Sequence, residues 1–123
     1  MRTSNRINWV VAILGVWEII APFVLGYVTV RPPFWNNIIF GAALLVLSVW
    51  SALSASVTVD RTLDWIDAVI GIWLIVAPFV LGYTTVTAAL WNDIIVGIVV
   101  VVLSAWAALS VRTPVVEEHV EQM

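Results

Sequence analysis

Three acidic residues stand inside or beside long apolar segments, where an ionisable group could do chemistry. Glu18 lies near the middle of the first segment, and an ionisable residue at that depth in a membrane span is a functional candidate. Asp67 lies near one end of the third segment, and Asp93 begins the fourth, where a carboxylate suits a helix N-terminus. We therefore interpret both aspartates as helix-end charges. For Glu18 three interpretations are open: a buried acid satisfied by hydrogen bonds, a proton or cation site, or a contact between subunits.

The remaining polar residues form no pattern that is typical of an enzyme. No His, Asp and Glu cluster has metal-ligand spacing, no glycine-rich loop could hold a phosphate, and no nucleophile has a base nearby in sequence. Cysteine is absent, which excludes disulfides and thiolate chemistry. The five basic residues are all arginines and form no basic stripe with interleaved aromatics. We expect no catalytic residue, no cofactor, no metal site and no nucleic-acid partner. His119, alone in an acidic tail, is expected to be solvated.

The elements that must position Glu18 follow from composition. Of the 123 residues 63% are hydrophobic and only 11% are charged, which indicates lipid rather than water as the solvent. A bilayer core about 30 Å thick needs about 20 apolar residues in a helix. Four windows have that length: 9–30, 34–54, 65–86 and 90–111. We predict an all-α fold, a four-helix transmembrane bundle, with the lipid bilayer as partner.

The four windows are two copies of one helical hairpin. Residues 9–54 align without a gap on residues 65–110, and more than half of the paired positions are identical. The block Ala21 to Tyr27, for example, returns unchanged as Ala77 to Tyr83. Because each copy crosses the membrane twice, the two hairpins are parallel repeats and both termini share one face.

Arginines indicate which face that is. Arg2, Arg6, Arg61 and Arg112 lie on the terminal side and only Arg31 lies on the other, so the positive-inside rule places both termini in the cytoplasm.

The chain then divides into five segments. These are a cytoplasmic N-terminal segment 1–8, repeat 1 over 9–54, a cytoplasmic linker 55–64, repeat 2 over 65–111 and an acidic cytoplasmic tail 112–123.

Small residues repeat on one face of the helices. Helices in lipid associate where backbones can approach closely, so we expect the two hairpins to pack through these faces. A groove open to lipid or to a ligand between the hairpins is the alternative. Pro22 and Pro78 are expected to bend their helices, and the alternative is a broken helix lining a transport site. The packing set is Ala12, Gly15, Pro22, Gly26, Gly41 and Ser48 with their counterparts Ala68, Gly71, Pro78, Gly82, Gly97 and Ser104.

Aromatic residues mark the two expected membrane interfaces. Trp9 and Tyr27 are 18 residues apart, about 27 Å in a helix, which is close to the hydrocarbon thickness. Trp17 and Trp73 lie too deep for such a belt. The predicted interfacial set is Trp9, Tyr27, Trp35, Trp65, Tyr83 and Trp91. Asn36 and Asn92 follow two of these tryptophans and are expected to hydrogen-bond near the hairpin or across helices.

The motif order resembles the SPW repeat family. Each copy has a tryptophan-led helix, Gly-x-Trp, a proline-aromatic pair, Leu-Gly-Tyr, and then Trp-Asn opening a second helix. The chain departs from the family's name, since Ala21-Pro22-Phe23 and Ala77-Pro78-Phe79 stand where Ser-Pro-Trp would be. The resemblance implies a small membrane protein of bacteria or archaea with tandem two-helix repeats. It implies no catalytic residues.

Two functional hypotheses follow. The first is a non-catalytic structural or assembly protein that joins copies of itself or belongs to a larger membrane complex. The second is a small transporter or channel in which Glu18, with Asp67 and Asp93 toward the two ends, forms a carboxylate path through the bundle.

Overall fold

The computed structural model describes the backbone of residues 3–54 and 56–122 and the side chains of residues 5–54, 56 and 58–110. Within this part of the chain the secondary structure is helical, in the order α1 Thr3–Leu25, α2 Arg31–Leu53, α3 Val57–Leu81 and α4 Thr87–Gln122. Each helix contains a stretch long and apolar enough to cross a bilayer: Asn5–Leu25, Arg31–Leu53, Thr58–Leu81 and Thr87–Ser110. The predicted all-α, four-span architecture is confirmed, and the chain is a multi-pass integral membrane protein.

The first helix of each hairpin ends five residues earlier than predicted. Gly26 and Gly82 have φ angles of +81° and +78°, the left-handed conformation that terminates helices. The N–H groups of Gly26 and Tyr27 both donate to the carbonyl of Pro22 at 3.0 Å. The second hairpin repeats this arrangement at Pro78. Pro22 and Pro78 therefore lie in the last helical turn, and a mid-helix break at these residues is wrong.

The two capping glycines do not pack against a neighbouring helix. A Cβ added at Gly26 or Gly82 would meet no atom within 4 Å. The prediction that they belong to the packing face is wrong, because their backbone conformation, not close approach, requires glycine.

Helices α1 and α3 begin earlier than predicted. Helix α1 starts at Thr3, and α3 starts at Val57 after Ser56, whose hydroxyl accepts from the N–H of Val59 at 3.3 Å as an N-cap. Most of the expected 55–64 linker is therefore the first two turns of α3. The backbone of α4 continues through the expected tail to Gln122, and the side chains beyond residue 110, including Arg112 and His119, lie outside the described residues.

Small residues form the contact between the two helices of each hairpin. A Cβ on Gly15 would lie 2.7 Å from the carbonyl oxygen of Gly41 and 2.8 Å from the nitrogen of Leu45. In the second hairpin a Cβ on Gly97 would lie 2.7 Å from the carbonyl oxygen of Gly71. Helices α1 and α2, and likewise α3 and α4, thus meet backbone to backbone. Ala12 and Ala68 are also buried. For these glycines the expectation that the small faces join one hairpin to the other is wrong, whereas Ser48 of the same set does bond to the other hairpin.

The aromatic residues divide into two groups. Trp9, Trp35, Trp65 and Trp91 are exposed on the bundle surface, as residues of a membrane interface would be. Tyr27 and Tyr83 are each only 2% exposed, so their assignment to the interfacial set is wrong. The left-handed glycine before each tyrosine ends the helix, and the tyrosine side chain is buried in the bundle.

Candidate functional site

Polar side chains from all four helices and both hairpin turns meet inside the bundle at its hairpin end. We name this group the hairpin-end cluster. Its acidic members, Glu18 on α1 and Asp93 on α4, are fully buried. The members are Trp17, Glu18, Tyr27, Asn36, Asn37, Trp73, Tyr83, Asn92 and Asp93.

Part of this cluster is present twice, once for each hairpin. The indole N–H of Trp17 donates to Oδ1 of Asn92 at 2.7 Å, and Nδ2 of Asn92 points back to the hydroxyl of Tyr27 at 3.4 Å. The equivalent chain runs from Trp73 to Oδ1 of Asn36 at 2.8 Å, and from Nδ2 of Asn36 to the hydroxyl of Tyr83 at 3.1 Å. Each asparagine thus bonds to residues of the other hairpin. Each of the two deep tryptophans donates to one of the asparagines.

Glu18 is bound to this repeated frame through Asn92. Nδ2 of Asn92 donates to Oε1 of Glu18 at 2.8 Å, and Oδ1 of Asp93 lies 3.3 Å from the same nitrogen. The Glu18 and Asp93 carboxyls therefore both lie beside the amide nitrogen of Asn92. Because two buried carboxylates repel each other, a single proton bound between them would stabilise the pair.

Asp93 has further partners on both sides of the bundle. The hydroxyl of Tyr83 donates to its Oδ2 at 2.5 Å. Asn37, oriented so that its amide oxygen accepts from Tyr27 and its nitrogen faces acceptors, donates to Oδ1 of Asp93 at 2.8 Å and to the carbonyl of Pro33 at 3.2 Å. Asp93 lies in the second turn of α4, which begins at Thr87. Its interpretation as a helix-end charge is wrong, since it is a buried acceptor at the centre of the cluster.

Both tyrosines act as hydrogen-bond donors in this cluster. Burial, followed by the nearby Asp93 carboxyl, raises the pKa of Tyr27 above its ordinary value. Burial and the hydrogen bond to Asp93 raise the pKa of Tyr83 in the same direction. The hydroxyls therefore stay protonated over the pH range in which the protein is handled.

A second polar group, which we name the terminus-end cluster, lies in the half of the bundle that holds the chain termini. Nδ2 of Asn8 donates to the hydroxyl of Ser51 at 3.2 Å, and this hydroxyl donates to Oδ1 of Asp64 at 3.2 Å. The hydroxyl of Ser48 donates to Oδ2 of Asp67 at 2.9 Å, while Oδ1 of Asp67 is buried and has no hydrogen-bond partner among the side chains that the structure describes. The members are Asn8, Ser48, Ser51, Asp60, Asp64 and Asp67.

The terminus-end cluster contains residues that sequence reasoning missed. Asp60, Asp64 and Asp67 are spaced i, i+4 and i+7, which places them on one face of α3, and all three are buried. This spacing was the available signal, but the first two fell in the expected linker. Asp67 lies ten residues after the start of α3 and bonds to α2, so the helix-end interpretation is wrong for it as well.

An apolar layer separates the two polar clusters. It includes Leu44 on α2 and its repeat counterpart Val100 on α4, both 0% exposed and part of one core. Leu44 lies on α2 between Gly41, where a Cβ would touch Glu18, and Ser48, which bonds to Asp67. The structure therefore brings Asp93 to Glu18 but leaves Asp67 on the far side of this layer.

Comparison with known proteins agrees with this architecture. The sequence profile of the SPW repeat domain matches residues 5–107. The chain belongs to the SPW repeat family. This SPW repeat match includes the first hairpin, most of the second and every residue of both polar clusters. Neither the curated proteins nor the solved structures gave a match.

The structure explains what the altered SPW motif does in this chain. Ala21 and Ala77, at the serine position, are completely buried, where a hydroxyl would need a hydrogen-bond partner. Phe23 and Phe79, at the tryptophan position, are exposed and face the surroundings of the bundle. The proline carbonyls accept the hydrogen bonds that end the helices. In this member the motif therefore terminates a helix.

A metal site finds no support in the described residues. They contain no group of three or more His, Cys, Asp or Glu side chains placed to hold a metal ion.

Proposed function

We propose that this SPW repeat protein is a non-catalytic structural or assembly component of a prokaryotic cell membrane, with both termini in the cytoplasm. Its four-helix bundle is the building block, and its outer surfaces join copies of itself or a larger membrane complex. It works without a cofactor.

The apolar layer is the observation that carries this proposal. A carboxylate path through the bundle needs polar groups along its length, but the buried apolar residues Leu44 and Val100 lie between the levels of the two clusters on α2 and α4. In the repeat, Asp67 of α3 corresponds to Val11 of α1. Val11 is seven residues from Glu18, about 10 Å along the helix, so the Glu18 and Asp67 positions are separated by about that distance. A continuous route for ions is therefore not favoured.

The hydrogen bonds of the hairpin-end cluster also support a structural role. Trp17 and Trp73 each donate to an asparagine of the other hairpin, so the cluster joins the two halves of the bundle. Buried polar groups with all partners in place specify one packing arrangement.

Two measurements test this proposal together. The protein is extracted from native membranes in mild detergent, and co-purifying chains are identified by native mass spectrometry. It is also reconstituted into liposomes for proton and cation flux. We expect a defined homo-oligomer or a constant stoichiometric partner, with no flux above empty liposomes. A solitary monomer, or flux through the parent protein, contradicts the proposal.

The orientation is tested separately, because the chain has no cysteine. Thr29→Cys in the first hairpin turn and Ser54→Cys between the repeats report opposite faces. In intact cells a membrane-impermeant maleimide is expected to label Thr29→Cys only. Labelling of Ser54→Cys alone would reverse the topology.

A proton-binding or cation-binding site at Glu18 is the second candidate, and the approach of the buried Glu18 and Asp93 carboxyls to the same amide nitrogen of Asn92 favours it. Two buried acids beside two tyrosine hydroxyls can hold a shared proton. On this hypothesis Glu18→Gln abolishes flux in liposomes and preserves assembly, while Ser104→Ala, outside the cluster, leaves flux unchanged. Absence of flux in the parent protein would eliminate this candidate.

A further inference from the structure

A groove lies between α2 and α3 at the hairpin end of the bundle. Its volume is about 440 Å³, and it opens to the outer surface of the bundle. Trp35, Ile39 and Phe40 form one wall, and Trp73 and Leu81 form the other. The ring centroids of Phe40 and Trp73 lie 5.8 Å apart and close the inner side. The groove is therefore an apolar furrow on a surface that faces lipid.

Arg31 stands at the mouth of this groove. It is the first residue of α2, at the end of the membrane span, and its side chain is exposed. It makes no ion pair with any described residue. From Arg31 to Ile39 the groove follows eight residues of α2, about 12 Å along the helix axis. An unpaired cation at the headgroup level thus stands above an apolar furrow that runs into the hydrocarbon region.

The polar side-chain atoms of Asn36 and Trp73 in the groove walls already make hydrogen bonds within the protein. The indole N–H of Trp73 donates to Asn36, whose amide nitrogen donates to Tyr83. The walls therefore offer apolar contact surface, and Arg31 is the charge available to a ligand.

We propose that this groove binds one anionic phospholipid, with its phosphate on Arg31 and an acyl chain between Trp35, Phe40 and Trp73. The positive charge of Arg31 is complementary to that of a phosphate. The planar guanidinium also matches the geometry of the phosphate oxygens. The volume suits a chain rather than a helix: a helix about 10 Å across and 12 Å long would occupy roughly twice this space. The proposal does not depend on the assembly function, because it concerns the lipid around a single bundle.

The second repeat provides a natural comparison. The counterparts of Arg31, Pro32 and Phe40 are Thr87, Ala88 and Val96. The equivalent position between α4 and α1 therefore lacks the cation, and these two helices also contact each other more extensively than α2 and α3 do. The lipid site belongs to one side of the bundle only.

Native mass spectrometry of the full chain tests this proposal. The protein is mixed with equal amounts of phosphatidylglycerol and phosphatidylcholine of the same chain length, and bound lipid is counted. We expect phosphatidylglycerol to be retained about fivefold better, equivalent to the ~1 kcal/mol that one arginine contributes near anionic lipid. Arg31→Thr, which introduces the counterpart residue, should remove this preference. Arg6→Thr removes the same charge from an exposed position outside the groove and should preserve it.

Two further arms separate the lipid from other occupants. Ile39→Trp fills the groove at an exposed position and should abolish lipid retention with Arg31 intact. Glycerol phosphate, which carries the headgroup phosphate without acyl chains, should not displace the lipid. No preference in the parent protein, equal effects of Arg31→Thr and Arg6→Thr, displacement by glycerol phosphate, or a dimer in place of bound lipid would each overturn the proposal. Helix content measured by circular dichroism confirms that every variant is folded.

Discussion

Helices within one hairpin meet through glycine backbone, whereas the two hairpins meet through hydrogen-bonded polar side chains. Gly15 on Gly41 and Gly71 on Gly97 give the two hairpins nearly the same internal contact. The contact between hairpins differs from end to end, with a carboxyl pair in one cluster and a row of aspartates in the other.

This difference separates two tasks. The repeated residues build a hairpin that can be used twice. The acids are not repeated, since the counterparts of Glu18, Asp67 and Asp93 are Leu74, Val11 and Asn37. Their side chains lie between the hairpins. The hairpins are equivalent in backbone packing and unequal in buried charge.

The largest expected effect is on the contact within a hairpin. Gly15→Leu would place side-chain atoms against the backbone of Gly41 and Leu45, where even a Cβ is too close. We expect a loss of about 3 kcal/mol in the free energy of unfolding. Reversible unfolding in mixed SDS micelles, followed by circular dichroism, measures it. Gly71→Leu should cost a similar amount, and Val46→Leu on the exposed face of α2 should cost little. A stable Gly15→Leu protein would contradict the backbone contact.

Asn92 and Asn36 test the inequality between the hairpins. Asn92→Leu removes partners from Trp17, Tyr27 and the Glu18 carboxyl, so we expect a loss of about 2 kcal/mol. Asn36→Leu removes partners only from Trp73 and Tyr83 and should cost about 1 kcal/mol. The same unfolding titration compares them. Equal losses would show that the acid adds nothing to the repeated frame.

The two tyrosines give a finer test of the same point. Tyr83→Phe removes a hydrogen bond to the Asp93 carboxyl, and Tyr27→Phe removes one to the Asn37 amide. Hydrogen bonds to charged acceptors contribute more, so we expect about 1.5 kcal/mol for Tyr83→Phe and about 0.7 kcal/mol for Tyr27→Phe. Thermal unfolding in detergent should rank them in this order. The reverse order would indicate that Asp93 carries the shared proton.

The smallest effect is expected at a pair of serines. Ser48 donates to Asp67, whereas its counterpart Ser104 has a buried hydroxyl without a partner among the described residues. Ser48→Ala should cost about 0.6 kcal/mol, the average for a hydrogen bond between membrane helices. Ser104→Ala should be neutral or stabilising, because it removes an unsatisfied polar group. A loss at Ser104 equal to that at Ser48 would indicate that both hydroxyls are bonded.

Hydropathy and self-alignment predict the four spans and the duplication, because both depend on composition over about 20 residues. Helix ends depend on single backbone angles, which hydropathy does not detect. Gly26 in the left-handed conformation ends α1 at Leu25 although the apolar run continues.

The polar clusters were only partly predictable. Glu18 was identified because an acid within an apolar run is conspicuous. Its partner Asp93 is 75 residues away, and their proximity depends on how the two hairpins are juxtaposed. Asp60 and Asp64 were missed because a polar stretch between spans has the composition of a linker, and only the three-dimensional packing shows that it is buried.

The acidic face of α3 has a consequence for biogenesis. A carboxylate at the centre of a span costs about 3 kcal/mol on insertion scales, and less toward its ends, so Asp60, Asp64 and Asp67 each oppose the entry of α3 into lipid unless their carboxyls find partners. Ser48 and Ser51 of the preceding helix supply hydroxyls to two of these carboxyls. Because α2 precedes α3 in the chain, these donors are synthesised before the acids that they bind. Burial of the acids of α3 therefore depends on side chains of the first repeat.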